Sequence, residues 1–369
     1  MSKDVRPNHG FSHFGTTAGM RAAAILVAST IATLPATLQA DGLPPLGAYR
    51  IDAGGISVSG VSSGGFMAHQ VHVAHSQTVM GATVFAGGPY RCAGKRYPYD
   101  LWITLNSCLS FPLDLVPFLG PPSVESSIEA TEEEASNSAI DPLANLRSDR
   151  VYLFSGRADE LAPRKVMDVL DAYYRHYVTA GGIAYETGVD ASHAMVTDGY
   201  GNAECSATAP PHINDCGFDA AGALLSHIYG ALRPRAEPDP AALHAFDQAP
   251  FADGDPAAIS LAARGHVYVP KACAEGTACR LHVAFHGCRQ TEEHIGDAFF
   301  AHAGYNGWAE ANGIILLYPQ TTAQGDIPHV WPNPQACWDW WGYTGGDYAR
   351  KSGPQIRAVK RMIDRLIGK

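Results

Sequence analysis

Gly60-Val61-Ser62-Ser63-Gly64 is a G-x-S-x-G run that directly follows a short apolar stretch and directly precedes a helix-like one. That context suits a serine nucleophile. A sharp strand-to-helix turn lifts the Ser62 hydroxyl above the carboxyl end of its strand, and the glycines relieve the crowding. The amino end of the following helix adds positive potential where an oxyanion would develop. Such a serine needs a base and an acid that orients it, each from the end of a later strand. Gly156-Arg157-Ala158-Asp159 follows the apolar VYLFS, and Gly188-Val189-Asp190-Ala191-Ser192-His193 follows IAYET. Ser62 is therefore expected to attack an acyl carbon, His193 to carry the proton, and Asp159 to fix the imidazole. Asp190 and Asp198 compete as the acid, but acids so close in sequence reach the far ring nitrogen less readily.

The elements that must position these residues read as an α/β alternation. Strands are expected at 55–59, 82–86, 151–155, 183–187, 266–269, 281–285 and 314–318. Helices are expected over 64–75, 163–179, 220–232 and 354–367. The order Ser62, Asp159, His193 is that of an α/β-hydrolase. The oxyanion hole of that fold takes one amide from the residue after the nucleophile, here Ser63. The other comes from a His-Gly loop on an earlier strand. Here LHVAF-His286-Gly287-Cys288 lies far downstream of the serine. Circular permutation reconciles the two, with the usual first strands moved to the end and Cys288 supplying the second amide. The expected fold is a circularly permuted α/β-hydrolase with a mostly parallel central sheet and helices on both faces. Residues 233–256 read as a surface connection, and Glu125–Glu134 as an acidic run.

Composition narrows the partners. The chain has 369 residues, 46% hydrophobic, with 36 acidic against 26 basic side chains and a formal net charge of −10. Nucleic acid and anionic membrane surfaces call for a basic footprint, so neither is expected as a partner. No apolar run in the body is long enough for a spanning helix. Residues 21–40, ending in Leu38-Gln39-Ala40, read as a secretory signal peptide cleaved after Ala40. Met20 makes the more ordinary start, and residues 41–369 then form a single catalytic domain. Secretion, to the medium or the periplasm, agrees with eight cysteines that contain no C-x-x-C. Proximity suggests Cys92–Cys108, Cys205–Cys216 and Cys273–Cys279, which leaves Cys288–Cys337. Connectivity stays open, since eight cysteines allow 105 pairings. His69, His72 and His75 read as one helix face rather than a zinc site. No metal or cofactor is expected, because serine acyl transfer needs none.

Five separated segments, GISVSGVSSGGFMAHQ, VFAGGPYRCA, INDCGFDAAG, LHVAFHGC and NPQACWDWWGY, resemble the extracellular poly(3-hydroxybutyrate) depolymerases. The closest group is the single-domain, circularly permuted kind. The resemblance runs from about Gly55 to Tyr343. It implies that Ser62, Asp159 and His193 form the triad, that Ser63 and Cys288 form the oxyanion hole, and that polyester bonds are hydrolysed through an acyl-enzyme to hydroxyacid monomers and short oligomers. Two departures stand out. No separate polymer-adsorbing module is expected after Cys337, and residues 109–122 form an apolar, Pro-studded addition, read either as an adsorption patch or as a packed cap loop.

Trp331, Trp338, Trp340 and Trp341 cluster late in the chain. At least two are expected in the core. Trp338, Trp340 and Trp331 are the candidates for lining a groove that holds the polyester, with Trp338 favoured. A monomer is expected. The rival readings are a secreted carboxylesterase of another substrate class, such as feruloyl esters or the amide links of poly(aspartic acid), and a catalytically silent polymer-binding protein.

Overall fold

The computed structural model describes residues 42–94, 108–109, 123–324 and 333–369. The expected leader (1–40), residues 110–122 and Trp331 lie outside them. Ten strands are described: β1 (Ile51–Val61), β2 (Gly81–Phe85), β3 (Arg150–Phe154), β4 (Ile183–Glu186), β5 (Met195–Thr197), β6 (Ile213–Asp215), β7 (Leu243–Asp247), β8 (Arg264–Tyr268), β9 (Cys279–Phe285) and β10 (Ile314–Tyr318). The longer helices are α1 (Ser63–Ala74), α2 (Val124–Ser136), α3 (Arg164–Tyr177), α4 (Ala220–Tyr229), α5 (Tyr305–Asn312) and α6 (Pro354–Leu366).

From Gly55 onward β1 is buried on both faces, as a central strand of a parallel sheet must be. It pairs in parallel with β2 on one side and β9 on the other. The eight-stranded sheet runs β4-β3-β2-β1-β9-β10-β8-β7. β8 runs against both β7 and β10, so it alone opposes the rest. β7 to β10 follow β1 in the chain yet fill the half of the sheet that precedes the nucleophile strand in an unpermuted α/β-hydrolase. The permutation expected from the position of His286-Gly287-Cys288 is therefore present. β5 and β6 form a separate two-stranded parallel sheet.

Strand alternation divides the core in two. Val151, Leu153, Val283 and Leu317 pack with Met67, Leu170 and Val359 of α1, α3 and α6. Tyr152, Phe154, Ala284 and Leu316 pack on the other face with Leu224 of α4 and Tyr305 of α5. α6 opens with Pro354 in its first turn and buries Ile356, Val359, Met362, Ile363 and Leu366 along one face. The acidic run becomes α2, capped by Ser123, which accepts from the Ser126 amide at 3.0 Å. Residues 233–256 differ from the expected plain connection, because they carry β7 at the sheet edge. Phe246 is the one buried residue of that strand, so the period-2 signal was weak.

A polar seam ties β1 to β9. His282 places Nδ1 2.7 Å from Ser57 Oγ and Nε2 2.7 Å from Ser59 Oγ. The Tyr229 and Tyr305 hydroxyls extend the seam at 2.6 and 3.0 Å. Burial pushes His282 down to about 3 and His286 down to about 4. His75, at the end of α1, is also pushed down to about 4, chiefly by burial. Each binds a proton more readily once unfolded, so its stability contribution is full above about pH 6.5 and falls as pH drops toward the folded value. Asp339 carries the opposite sign. Burial pushes it up to about 6 against the pull of its amide and hydroxyl donors, so it favours the folded state as pH falls through that value. Three groups outweigh one. The urea unfolding free energy is expected to fall between pH 7 and pH 5 by about 4 kcal/mol or more, at about 2 kcal/mol for each of these histidines less the aspartate's share, with His69, also lowered by burial, adding to the fall. A flat profile over that range would contradict the neutral assignment of these histidines.

Candidate active site

Ser62 stands between β1 and α1 with φ 57° and ψ −123°, a combination rarely adopted outside glycine. Its neighbours make that conformation possible. A Cβ on Gly60 would lie 2.1 Å from the Gly64 carbonyl oxygen, and one on Gly64 would lie 2.3 Å from the Phe285 carbonyl oxygen. The Ser62 amide donates to the Phe85 carbonyl at 2.9 Å, and the Phe66 amide closes the turn onto the Ser62 carbonyl at 3.1 Å. Ser63 is the first residue of α1, where the amide has no acceptor within the helix.

Asp159 and His193 come from loops after β3 and β4 that run in direct contact. A Cβ on Gly156 would sit 2.1 Å from the Ala191 carbonyl oxygen. The Arg157 and Ala158 amides donate to the Val189 and Ala191 carbonyls at 2.9 and 3.1 Å. His193 Nδ1 then lies 2.9 Å from Asp159 Oδ2. Asp159 is itself held by the Leu161 and Ala162 amides, at 3.0 and 2.9 Å from Oδ1. His193 Nε2 is buried and has no hydrogen-bond partner among the described residues. With Asp159 accepting from Nδ1, the free lone pair sits on Nε2, the atom that can take a proton from serine. The competing acids are engaged elsewhere: Asp190 pairs with Arg157 at 2.6 and 2.7 Å, and Asp198 with Arg235 at 2.7 Å.

The His193 loop is braced by β5, β6 and the Cys205–Cys216 disulfide. Asn214 of β6 donates to the Cys205 and Ala207 carbonyls, both at 2.8 Å, and to Ser192 Oγ at 3.2 Å. INDCGFDAAG contributes this brace. Beyond the Cys216 pairing, no residue of it announces this bracing role in the sequence.

The loop after β9 brings Cys288 to the same place. Gly287 approaches the serine closely, since a Cβ there would lie 3.4 Å from Ser62 Cβ. His286 is buried, donates from Nδ1 to the Gly287 carbonyl at 2.7 Å, and accepts at Nε2 from the Thr321 amide at 3.2 Å. Acceptance at Nε2 requires the neutral ring, in agreement with its lowered pKa. The Gly287 amide donates to Gln290 Oε1 at 2.7 Å. The Cys288–Cys337 disulfide joins this loop to the 333–344 segment, and the Trp338 amide reaches Ser63 Oγ at 3.3 Å. The three pairings suggested by proximity, and the Cys288–Cys337 bond they leave, are the ones formed.

Ser62, Ser63, His193 and Cys288 border one cavity of about 570 Å3. Phe66, Leu109, Leu161, Trp340 and Trp341 are the large apolar side chains of its wall. The tryptophan expectations need correction here. Trp338 is 0% exposed, packs edge-on against Phe285 and beside His286, and does not border the cavity. It belongs to the core because it directly follows the bridged Cys337. Trp340 does border the cavity, stacked on Phe66 at 4.5 Å, and Trp341 joins it edge-on at 5.4 Å. Trp331 lies outside the described residues, as does the 109–122 addition apart from Leu109. His72 is engaged by Asp149 and Tyr174, and His69 by Tyr174. Among the described residues no group of His, Cys, Asp or Glu is arranged to hold a metal ion.

The elbow yields a direct test. Gly64→Ala would drive a methyl group into the β9 backbone, and a loss of about 3 kcal/mol or more in unfolding free energy is expected, with activity falling alongside. Gly54→Ala, whose Cβ would meet its nearest atom at 3.5 Å, is the control and is expected to leave both near wild type. Equal stability of the two variants would remove the close approach from the account.

No family model matches the chain. A poly(3-hydroxybutyrate) depolymerase of Delftia acidovorans is 42% identical over 352 residues, 94% of this chain; the chain spans 66% of that relative's length. A polyhydroxybutyrate depolymerase of Talaromyces funiculosus is 34% identical over 93% of this chain and 97% of its own. Two solved structures superpose with a TM-score of 0.76 at 34% identity, over 88% of this chain and 98% of each neighbour. One is the PHB depolymerase of Penicillium funiculosum; the other is a PHB depolymerase with a serine-to-alanine change, complexed with an R3HB trimer. With a permuted hydrolase sheet and a serine elbow beneath these similarities, the chain belongs to the poly(3-hydroxybutyrate) depolymerase family.

Proposed function

We propose that the chain is a secreted serine esterase that hydrolyses poly(3-hydroxybutyrate) and its oligomers through an acyl-enzyme on Ser62. The observation that carries this reading is the unpartnered Nε2 of His193, buried on the cavity that Ser62 borders while Asp159 holds the opposite ring nitrogen. His193 Nε2 takes the Ser62 proton as Oγ attacks the ester carbon, and Asp159 stabilises the imidazolium that results. The amides of Ser63 and Cys288 receive the oxyanion, aided by the amino end of α1. The intermediate collapses, the leaving alcohol takes the proton back from His193, and water then hydrolyses the acyl-serine by the same steps in reverse roles.

The apolar wall of Phe66, Leu109, Leu161, Trp340 and Trp341 suits an uncharged, methyl-bearing aliphatic ester. The names of the relatives and the trimer bound to one structural neighbour favour the same substrate. Four disulfides suit an oxidising compartment, in keeping with a leader removed after Ala40.

Clearing of an amorphous poly(3-hydroxybutyrate) suspension tests the proposal. The wild type is expected to clear it and release hydroxybutyrate monomer or dimer, identified by mass. Ser62→Ala is expected to lose about 10⁴-fold or more of the rate with its fold intact. Clearing by the alanine variant would reject Ser62 as nucleophile. Ser62-dependent cleavage of short esters without clearing would reject the polymer as substrate.

A further inference from the structure

The cavity wall is mostly apolar, so its charged groups stand out. Among the described residues that border it, Arg289 is the one permanently cationic side chain, and no aspartate or glutamate joins it. The guanidinium makes no ion pair or hydrogen bond with any described residue, although acidic residues outnumber basic ones by 36 to 26 in the chain. Arg289 is nonetheless firmly placed. It follows the bridged Cys288, its amide donates to the Gln335 carbonyl at 2.8 Å, and its φ of 58° lies in the left-handed region that arginine seldom enters.

His212 borders the same cavity, and its ring is held below the usual histidine value by burial first, then by the charge of Arg289, then by that of His193. Arg289, His212 and His193 therefore border the same cavity within electrostatic reach of one another, with Arg289 the one standing charge. Gln290, 2% exposed, fixes this side: it accepts from the Gly287 amide at 2.7 Å and donates to the His212 carbonyl at 2.7 Å. The same side chain thus registers the oxyanion loop, Arg289 beside it, and His212.

The side matters chemically. His193 must return its proton to the leaving alcohol oxygen, so the leaving portion of the ester lies on the histidine side. In a hydroxyacid polymer the acyl portion of each ester runs toward a neutral hydroxyl end. The leaving portion runs toward the free carboxylate end. A fixed guanidinium there can tell the two ends apart, through a bidentate pair with both carboxylate oxygens.

We propose that Arg289, flanked by His212, is a carboxylate subsite on the leaving-group side, which receives the free acid terminus of a hydroxyacid oligomer and directs cleavage to the ester next to it. This rests on the esterase reading above. In the step itself the Ser62 Oγ–acyl carbon bond forms and the acyl carbon–oxygen bond breaks. The leaving oxygen takes the proton from His193 Nε2, and the freed hydroxyacid departs with its carboxylate still at Arg289. The subsite favours short soluble acids over the interior of a polymer chain, where no carboxylate is within reach.

The test compares the 3-hydroxybutyrate dimer as free acid with the same dimer capped at its carboxyl end as a methylamide, with products resolved by mass. Wild-type kcat/KM is expected to favour the free acid by about tenfold or more, the scale of one charge-assisted pair. In Arg289→Gln that ratio is expected to collapse toward one, and Arg289→Lys to keep part of it. High salt is expected to shrink the wild-type ratio. Hydrolysis of the capped dimer by each variant reports an intact fold, and if the glutamine variant fails to fold the lysine variant carries the comparison. A wild-type ratio at or below one, or a preference that survives in Arg289→Gln, would overturn the subsite alone. Cleavage of neither dimer by a wild type that clears the polymer suspension would overturn the subsite alone, whereas failure on the dimers and the suspension alike would overturn the esterase reading and the subsite with it.

Discussion

Everything at the site depends on the backbone of Ser62 being held where serine does not choose to be. A positive φ at a non-glycine residue costs on the order of 1–3 kcal/mol, so the surroundings must enforce it. They do so by proximity. β1, the start of α1 and the end of β9 come so close that Gly60 and Gly64 have no room for a side chain. The same closeness puts Gly287 against Ser62, and Cys288 follows it on the cavity that Ser62 borders. The turn at Ser62 and the placement of the loop after β9 are two consequences of one packing contact.

That dependence explains why rewiring the chain does not disturb the chemistry. β9 reaches the site from far along the sequence, yet it pairs with β1 in parallel and ends level with it, Phe285 opposite Gly60. What the site requires is that strands end at the same edge of the sheet, and permutation preserves this. Loops crossing that edge are then fastened to one another: Gly156 against Ala191, Gln290 between Gly287 and His212, and Cys288 to Cys337. His286, neutral and bonded at both ring nitrogens, fastens β9 to Thr321 from beneath.

Much of this was legible in the sequence, and for a physical reason. Strands buried on both faces are short apolar runs, and their chemistry sits immediately after them, so Ser62, Asp159 and His193 each follow a readable signal. That His193 bonds Asp159 and not Asp190 or Asp198 was also readable, because it turns on chain geometry. The small brace of β5 and β6 was not, since three-residue strands carry no period. β7 was lost in a Pro-rich stretch with one buried residue. Trp338, Trp340 and Trp341 occupy a loop, where neighbours in sequence face core or cavity according to tertiary packing, so the favoured residue proved to be the buried one. Arg289 and Gln290 form no motif; only the cavity around them gives them meaning.

The most direct measurement is a rapid quench of the enzyme turning over the 3-hydroxybutyrate trimer, followed by peptide mass mapping. The account predicts a hydroxybutyryl ester on the peptide containing Ser62, absent from Ser62→Ala. An adduct on another residue, or full turnover by Ser62→Ala, would contradict it.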